Sequence, residues 1–291
     1  MSATNALFFA YLVGLIGGFW LRTSQSVTFR QRQKPVGEKM LRGAGHSLSE
    51  EVEKRMEKLL LAFGGLAFLP LFLFLPSGDN ASRILWFGLN PWIWLCIFLA
   101  VGFVCSLVLS SMANKLANYY LGLKGERWVG DMLNWMLKDG FEVFHDFPIE
   151  PDGKTGNIDH IIVGPNGVFA IETKTYRKPK AGVDGKNYEV KFDGKQLRFP
   201  HRTTKKGIGQ ATHNARLLSK HLSASLDTSI EVFPILALPG WFVESTSRDP
   251  LLVLNPKNIR SAVLKKTPTI DDSLKRKISY QLELRCRDVE F

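Results

Sequence analysis

The chain has 291 residues, 45% of them hydrophobic and 22% charged, which excludes a disordered or low-complexity protein and allows one or two folded domains. Its 38 lysines and arginines outnumber its 27 acidic residues. The resulting formal charge of +11 favours anionic partners, such as nucleic acid or an acidic lipid surface. Three cysteines are too few for a disulfide framework, and they form no zinc-type cluster in the sequence.

Three long stretches without charged residues predict membrane-spanning helices. The predicted spans cover about 3–21, 59–77 and 90–112, and each approaches the roughly 20 apolar residues that cross a bilayer. The third is the strongest because tryptophans flank it at the expected interface. A cleaved signal peptide is the alternative for the first stretch, although no basic residue precedes its apolar segment.

The distribution of basic residues predicts the orientation in the membrane. The loop 22–58 carries nine lysines and arginines, whereas the connection between the second and third spans carries only Arg83. Basic loops stay in the cytoplasm. We therefore expect a multi-pass protein of the inner membrane with its N-terminus outside, loop 22–58 inside, and the remainder after the third span inside.

The remainder of the chain predicts a soluble α/β domain with a mixed sheet. We expect a membrane region over 1–112, this domain over 113–245, and an extension with a basic amphipathic helix over 246–291. The predicted elements are a helix over 116–137 that ends at Gly140, strands over 141–149, 158–163 and 168–176, a hairpin of 188–192 and 196–199, a helix over 208–222, strands over 230–238 and 251–254, and a helix over 271–287.

The central predicted hairpin carries charged residues among apolar neighbours. Asp159 lies in its first strand, and Glu172 and Lys174 lie two positions apart in its second, so that these two share a face. Buried charges cost several kcal/mol unless they are paired or bind a metal. A two-residue turn would place Asp159 opposite Glu172, whereas a turn with a glycine bulge would place His160 there.

Four motifs surround these charges. They are Gly-Leu-Lys-Gly-Glu at 122–126, Gly-Asn-Ile-Asp-His at 156–160, the run 162–176, and Phe-Pro-Ile-Leu-Ala-Leu-Pro-Gly-Trp at 233–241. Together they resemble the nuclease-related domain (NERD) family of the PD-(D/E)xK, or restriction-endonuclease-like, superfamily, over roughly 118–245. The resemblance implies an αβββαβ core, here preceded by three transmembrane helices, and metal-dependent hydrolysis of nucleic-acid phosphodiester bonds, with DNA favoured.

The resemblance implies a role for each residue of the hairpin. Asp159 and Glu172 would bind Mg²⁺ or Mn²⁺, for which carboxylate oxygens are suitable ligands, and the carbonyl of Thr173 would be a further ligand. Lys174 would position or deprotonate the attacking water, or stabilise the charge on the phosphate. The alternative is a buried ion pair without catalysis.

Two residues outside the hairpin complete the implied catalytic set. Glu126 would add a third carboxylate, its alternative being a glutamate favoured by the helix dipole. Gln210 opens the following helix, but Gly-Ile-Gly at 207–209 replaces the Asn-Pro that usually precedes this glutamine in NERD sequences, so a solvent-facing residue is the alternative. We expect Asn214 at the surface and His160 as a buried structural histidine.

A block of basic residues follows the hairpin. Residues 177–220 contain 12 lysines and arginines against 3 acidic residues, which predicts sequence-tolerant contacts with phosphates. Contact with anionic lipid is the alternative. A catalytically silent nucleic-acid-binding module and a membrane-surface scaffold remain alternative functions, and the oligomeric state stays open. The candidate nucleic-acid contacts are Lys178, Lys180, Arg202, Lys205 and Lys206.

Overall fold

The computed structural model describes residues 39–74, 91–149, 156–179, 187–247 and 250–289. The chain divides into two units, Met1–Met40 with Asp288–Phe291, and Leu41–Arg287. Each site described below lies in the second unit.

The described residues form eleven strands and five α-helices. The strands are β1 (Met40–Leu41), β2 (Glu142–Ile149), β3 (Gly156–Gly164), β4 (Gly167–Thr173), β5 (Glu189–Phe192), β6 (Leu197–Phe199), β7 (Arg202–Thr204), β8 (Val232–Ala237), β9 (Phe242–Ser245), β10 (Leu252–Leu254) and β11 (Arg287–Val289). The helices are α1 (His46–Phe74), α2 (Pro91–Leu133), α3 (Ile208–Leu226), α4 (Ile259–Leu264) and α5 (Asp272–Cys286).

The long helix α2 joins two elements that the sequence predicts as separate. The third predicted span and the helix over 116–137 form one continuous helix of 43 residues. A 3₁₀ segment, Asn134–Asp139, follows it and ends at Gly140, whose φ of 79° is the left-handed conformation expected of a C-terminal glycine.

The predicted membrane region is supported in one helix only. By length and composition, the stretch Leu99–Asp139 is the one helical segment among the described residues that is apolar enough to cross a membrane, and its most apolar 18 residues have a mean hydropathy of 1.6. The second predicted span begins inside α1, and its part beyond Phe74 lies outside the described residues. The first predicted span lies outside the described residues, so the prediction of three transmembrane helices is not supported.

A five-stranded sheet forms the centre of the domain, in the order β10-β8-β4-β3-β2. β2, β3 and β4 pair antiparallel, whereas β4, β8 and β10 pair parallel. The predicted mixed sheet is therefore confirmed. A second sheet has the order β7-β6-β5-β9 and contains the hairpin β5–β6 that the sequence predicts.

Helices cover both faces of the central sheet. Leu218 of α3 and Ile278 of α5 belong to one apolar cluster with β2, β3 and β4. Val129 and Leu133 at the end of α2 belong to a second cluster on the same strands, together with Ile259 of α4. This packing places Glu126 of α2 and the first turns of α3 next to the open end of the β3–β4 hairpin, where β4 ends.

Candidate active site

The register of the β3–β4 hairpin decides which residues face each other. His160 pairs with Ile171 and Gly164 pairs with Gly167. Of the two turns that the sequence leaves open, the hairpin therefore has the two-residue turn, and His160 does not lie opposite Glu172. One further step in this register places Asp159 opposite Glu172. Both side chains are buried, with exposed fractions of 5% and 1%.

Short hydrogen bonds hold the charged groups of the hairpin. The backbone N–H of Thr173 donates to Oδ2 of Asp159 at 2.7 Å. Nζ of Lys174 donates to Oε1 of Glu172 at 2.6 Å, and Nδ2 of Asn214 donates to Oε2 of Glu172 at 3.0 Å. The glutamate is thus held from both sides, and Thr173 contacts Asp159 through its N–H group.

Glu126 of α2 adds a third carboxylate to this cluster. Its Oε2 atom is buried and has no hydrogen-bond partner. Burial and the negative charges of Asp146 and Glu172 raise its pKa to about 7, against the opposing effect of Lys174. An unpartnered carboxylate oxygen beside two other acidic groups is a costly arrangement in the absence of a cation.

The cluster contains more carboxyl groups than cationic groups. Burial raises the pKa of Asp159, and the neighbouring charges of Glu172 and Glu126 raise it further. Burial also raises the pKa of Glu172, although Lys174 and Asn214 oppose this. The pKa of Lys174 is raised because its interactions with the carboxylates outweigh the effect of burial. One ammonium group therefore faces three carboxyl groups.

This set of donors fits a hard divalent cation. Mg²⁺ and Mn²⁺ prefer carboxylate oxygens, and Mg²⁺ is bound in proteins by one or two carboxylates with water and substrate phosphate completing its shell. The unpartnered Oε2 of Glu126 is a free ligand atom in this chemistry. Within the described residues, however, no three histidine, cysteine, aspartate or glutamate side chains form a ready-made metal site. The ligand roles of Asp159, Glu172 and Thr173 therefore stay predictions.

The helix α3 contributes Asn214 to the site, whereas the residue predicted from this helix was Gln210. Gln210 is exposed in the first turn of α3, and its catalytic role stays a prediction. Asn214, one turn later, is buried and bonds to Glu172, so the expectation of a surface position is wrong. The signal was available, because Asn214 follows Ala211 and precedes Leu218 at the helical spacing of the buried face.

Asp146 is a further buried acid, and it was not among the residues predicted from the sequence. It lies in β2 with a φ of 52° and no exposed surface. Its Oδ2 accepts from Nη1 of Arg42 at 3.0 Å and from Oγ of Ser47 at 2.6 Å, and its Oδ1 accepts from Nδ2 of Asn157 at 2.5 Å. These bonds tie the start of α1 to β2 close to Glu126. No local sequence pattern indicates them, because Arg42 and Ser47 lie about a hundred residues away in the chain.

Two histidines form a buried pair on β2 and β3. His145 and His160 occupy paired positions, and their Nδ1 atoms lie 2.9 Å apart. Burial lowers the pKa of both, and each histidine of such a pair is therefore neutral near pH 7. His160 is fully buried, as expected of a structural histidine.

The candidate nucleic-acid contacts lie on the segments that follow β4 and β6. The guanidinium of Arg202 lies 4.4 Å from the ring centroid of Tyr176, and Nζ of Lys178 lies 5.8 Å from that of Trp241. Lys205 and Lys206 are exposed just before α3. Lys180 lies outside the described residues. The roles of these residues in binding stay predictions.

Comparison with known proteins gives a family assignment for the domain. Residues 121–239 match the family model of the nuclease-related domain, NERD. An uncharacterized protein from Bacillus anthracis is 35% identical over 69 residues, which cover 23% of this chain and 32% of that protein. No solved structure matches the chain with statistical significance. The matched range contains every member of the charge cluster, and residues 121–239 of this chain are a nuclease-related domain.

Proposed function

We propose that this protein is a metal-dependent nuclease that hydrolyses phosphodiester bonds, with DNA as the favoured substrate. One observation carries the proposal: two buried carboxyl groups, the half-buried carboxyl group of Glu126 and one ammonium group lie together at the open end of the β3–β4 hairpin. A domain that served only as a scaffold has no need for such a costly group of charges in its core. The nuclease-related domain supports the same reaction class.

Each residue of the cluster has its own role in the proposed reaction. A bound Mg²⁺ or Mn²⁺ would supply an activated water and relieve charge on the scissile phosphate. Asp159 and Glu172 would hold it, and Glu126 supplies a third carboxylate oxygen that has no other partner. Asn214 fixes the orientation of Glu172 through its hydrogen bond to Oε2.

Lys174 acts in this scheme as a cation. Its pKa is raised by the ion pair with Glu172 and by the charge of Asp159, so the ammonium form persists at neutral pH. A charged ammonium group stabilises the negative charge that develops on the phosphate, and it orients the attacking water. Deprotonation of water by Lys174 is the less favourable of the roles that the sequence leaves open.

The same ion pair also suits a catalytically silent domain, which is the second candidate. A 2.6 Å contact between Lys174 and Glu172 satisfies both groups without any substrate. It leaves two further carboxyl groups, on Asp159 and Glu126, without a countercharge of their own. This imbalance favours the nuclease.

The proposed activity is tested with the full chain in detergent and supercoiled plasmid in the presence of Mg²⁺. We expect cleavage by the wild type and a loss of about 100-fold or more in Lys174→Ala, because removing one preorganised charge-stabilising group costs ~3–4 kcal/mol. Lys277→Ala, which removes an exposed lysine of α5, is the matched control and should cut normally.

Two outcomes would contradict parts of this proposal. Equal cleavage by wild type and Lys174→Ala would remove the lysine from the reaction. Binding of plasmid without any metal-dependent cutting would select the silent binding module.

A further inference from the structure

A cavity lies beside the charge cluster, on the segment that follows it in the chain. Its volume is about 430 Å³, within the range of pockets that hold small-molecule ligands. Asn118 and Leu121 of α2 line one part of its wall, and Thr175 and Tyr176 line another. Arg202 of β7 and the segment that leads into α3 complete it.

The charge of this cavity is positive. Arg177, Arg202 and Lys206 line it, and none of its described lining residues is acidic. Like charges gathered around one space repel each other, and a bound anion relieves that repulsion. The wall therefore favours an anionic ligand.

Arg202 is held ready for such a ligand. Its guanidinium stacks 4.4 Å from the centroid of the Tyr176 ring and 5.5 Å from that of Phe199. The hydroxyl of Tyr176 donates to the carbonyl of Lys206 at 3.3 Å. A stacked guanidinium loses little further freedom on binding, and its planar fork matches the geometry of a phosphate.

Thr175 connects the cavity to the charge cluster. It follows Lys174 directly and lines the cavity. Its hydroxyl occupies the space where a side chain at Gly125 would lie, since a Cβ atom there would be 1.7 Å from Oγ1. Gly125 precedes Glu126, so the side chain of Thr175 lies against the helix that carries the third carboxylate and also lines the cavity. The buried hydroxyl has no hydrogen-bond partner.

We propose that this cavity binds the phosphodiester backbone of the nucleic-acid substrate next to the bond that is cut. The assignment rests on the proposed nuclease function and adds a specific binding site to it. The shared wall at Thr175 favours a polymer that passes from the charge cluster into the cavity. A lipid headgroup is the rival ligand, because Asn118 lies only about 9 Å along α2 from residue 112, the predicted end of the membrane span.

The site is tested by binding, separately from cleavage. The full chain carrying Lys174→Ala, so that substrate stays intact, is placed in neutral-lipid nanodiscs. Its affinity for a fluorescent oligonucleotide is measured at several salt concentrations. Adding Arg202→Gln and Lys206→Gln should weaken binding about tenfold or more and reduce the salt slope by about two, because two phosphate contacts are lost.

The matched control is the pair Arg276→Gln and Lys277→Gln, which removes the same charge from the exposed face of α5. It should leave both the affinity and the salt slope close to those of the Lys174→Ala parent. Unfolding midpoints of the two double variants should agree, since neither pair removes a buried side chain. A third variant, Arg202→Lys, leaves Lys206 unchanged and so keeps both positive charges. Its salt slope should equal that of the Lys174→Ala parent.

Three results would overturn the assignment. The first is unchanged oligonucleotide binding in the cavity variant while the chain with Lys174 intact still cuts DNA, which rejects the cavity and keeps the nuclease. The second is weakened binding of soluble glycerophosphoglycerol with unchanged oligonucleotide binding, which assigns the cavity to lipid. The third is an absence of both binding and cleavage in the wild type, which rejects the nuclease and the cavity together.

Discussion

Asn214 supports Lys174 in opposing the effect of burial on the pKa of Glu172. Its amide donates to Oε2, and this bond lowers the pKa of a carboxyl group that burial raises. Without it, a buried oxygen loses its donor, which costs ~1–3 kcal/mol. The ionised glutamate that a metal ligand requires would therefore form only at higher pH.

We predict that Asn214→Ala lowers the cleavage rate about tenfold at neutral pH and shifts the acidic limb of the pH–rate profile upward. Thr212→Ala, on the exposed side of α3, is the matched control and should leave the profile unchanged. The profile is measured from initial cleavage rates between about pH 5 and 9. An unshifted acidic limb in Asn214→Ala would separate this residue from Glu172.

The raised pKa of Glu126 predicts that the free energy of unfolding depends on pH in metal-free buffer. Burial, Asp146 and Glu172 raise its pKa from 4.5 to about 7. The unfolded chain releases this proton at lower pH than the folded chain. This contribution to the free energy of unfolding is therefore fully present below pH 4.5 and is lost as the pH rises through 7.

Glu126→Gln should remove that dependence. We expect its thermal unfolding midpoint to exceed that of the wild type at about pH 8 and to match it near pH 4.5, because glutamine resembles the protonated glutamate. Each kcal/mol corresponds to roughly 2–4 °C in a domain of this size. Parallel curves of midpoint against pH for the two proteins would contradict the raised pKa.

At the residue scale, the positions that depend on the two-residue repeat of a strand could be predicted from the sequence. The alternation of side chains along a strand placed Glu172 and Lys174 on one face. It left two turns open for the hairpin, and the structure has the one that places Asp159 opposite Glu172. Prediction failed where the partner came from a distant segment. The φ of 52° at Asp146 and its bonds to Arg42 arise only from tertiary packing.

At the scale of elements, the start of α3 is fitted closely to Lys174. Gly207 caps this helix with a φ of 94°, and a Cβ atom there would lie 2.9 Å from Cγ of Lys174. A side chain at this position would therefore displace the lysine stem.

We predict that Gly207→Ala destabilises the protein by ~1–2 kcal/mol, from the left-handed backbone conformation alone, and lowers the cleavage rate by moving Lys174. Gly209→Ala is the matched control in the same helix turn, since a Cβ atom at this glycine would have no neighbour within 4 Å. It should leave cleavage unchanged and slightly stabilise the helix. Unfolding midpoints and initial cleavage rates measure both effects, and equal behaviour of the two variants would contradict the fit.

The elements themselves followed from hydrophobic periodicity and from glycine positions. The β5–β6 hairpin and the end of the 3₁₀ segment at Gly140 lie where the sequence predicts them. The continuity of α2 was not predicted, because the polar residues after the third apolar stretch resemble the end of a helix. In the structure they lie within an uninterrupted helix, and a helix tolerates exposed polar residues without ending.

At the scale of the whole molecule, α2 links a candidate membrane span to the charge cluster. Glu126 lies 14 residues beyond residue 112 on the same helix, which corresponds to ~21 Å along its axis. If this helix spans the membrane, the proposed catalytic centre is held close to the bilayer surface. The substrate would then have to approach within that distance.

We predict that the domain is cytoplasmic, from the basic residues that follow the third apolar stretch. A green fluorescent protein fused to the C-terminus should fluoresce, and the same fusion to alkaline phosphatase should be inactive. Carbonate extraction should leave both fusions in the membrane fraction. An active phosphatase fusion would reverse the orientation, and full extraction would remove the membrane anchor.

The account depends most on the charge cluster acting as a catalytic centre, and Asp159→Asn tests this with little change in shape. We predict that the full chain with Mn²⁺ cuts an oligonucleotide at least about 100-fold faster than Asp159→Asn, because the variant loses a ligand charge while an oxygen can still accept from Thr173. Equal rates in the two proteins, or undiminished cutting by the wild type in a chelator, would contradict it.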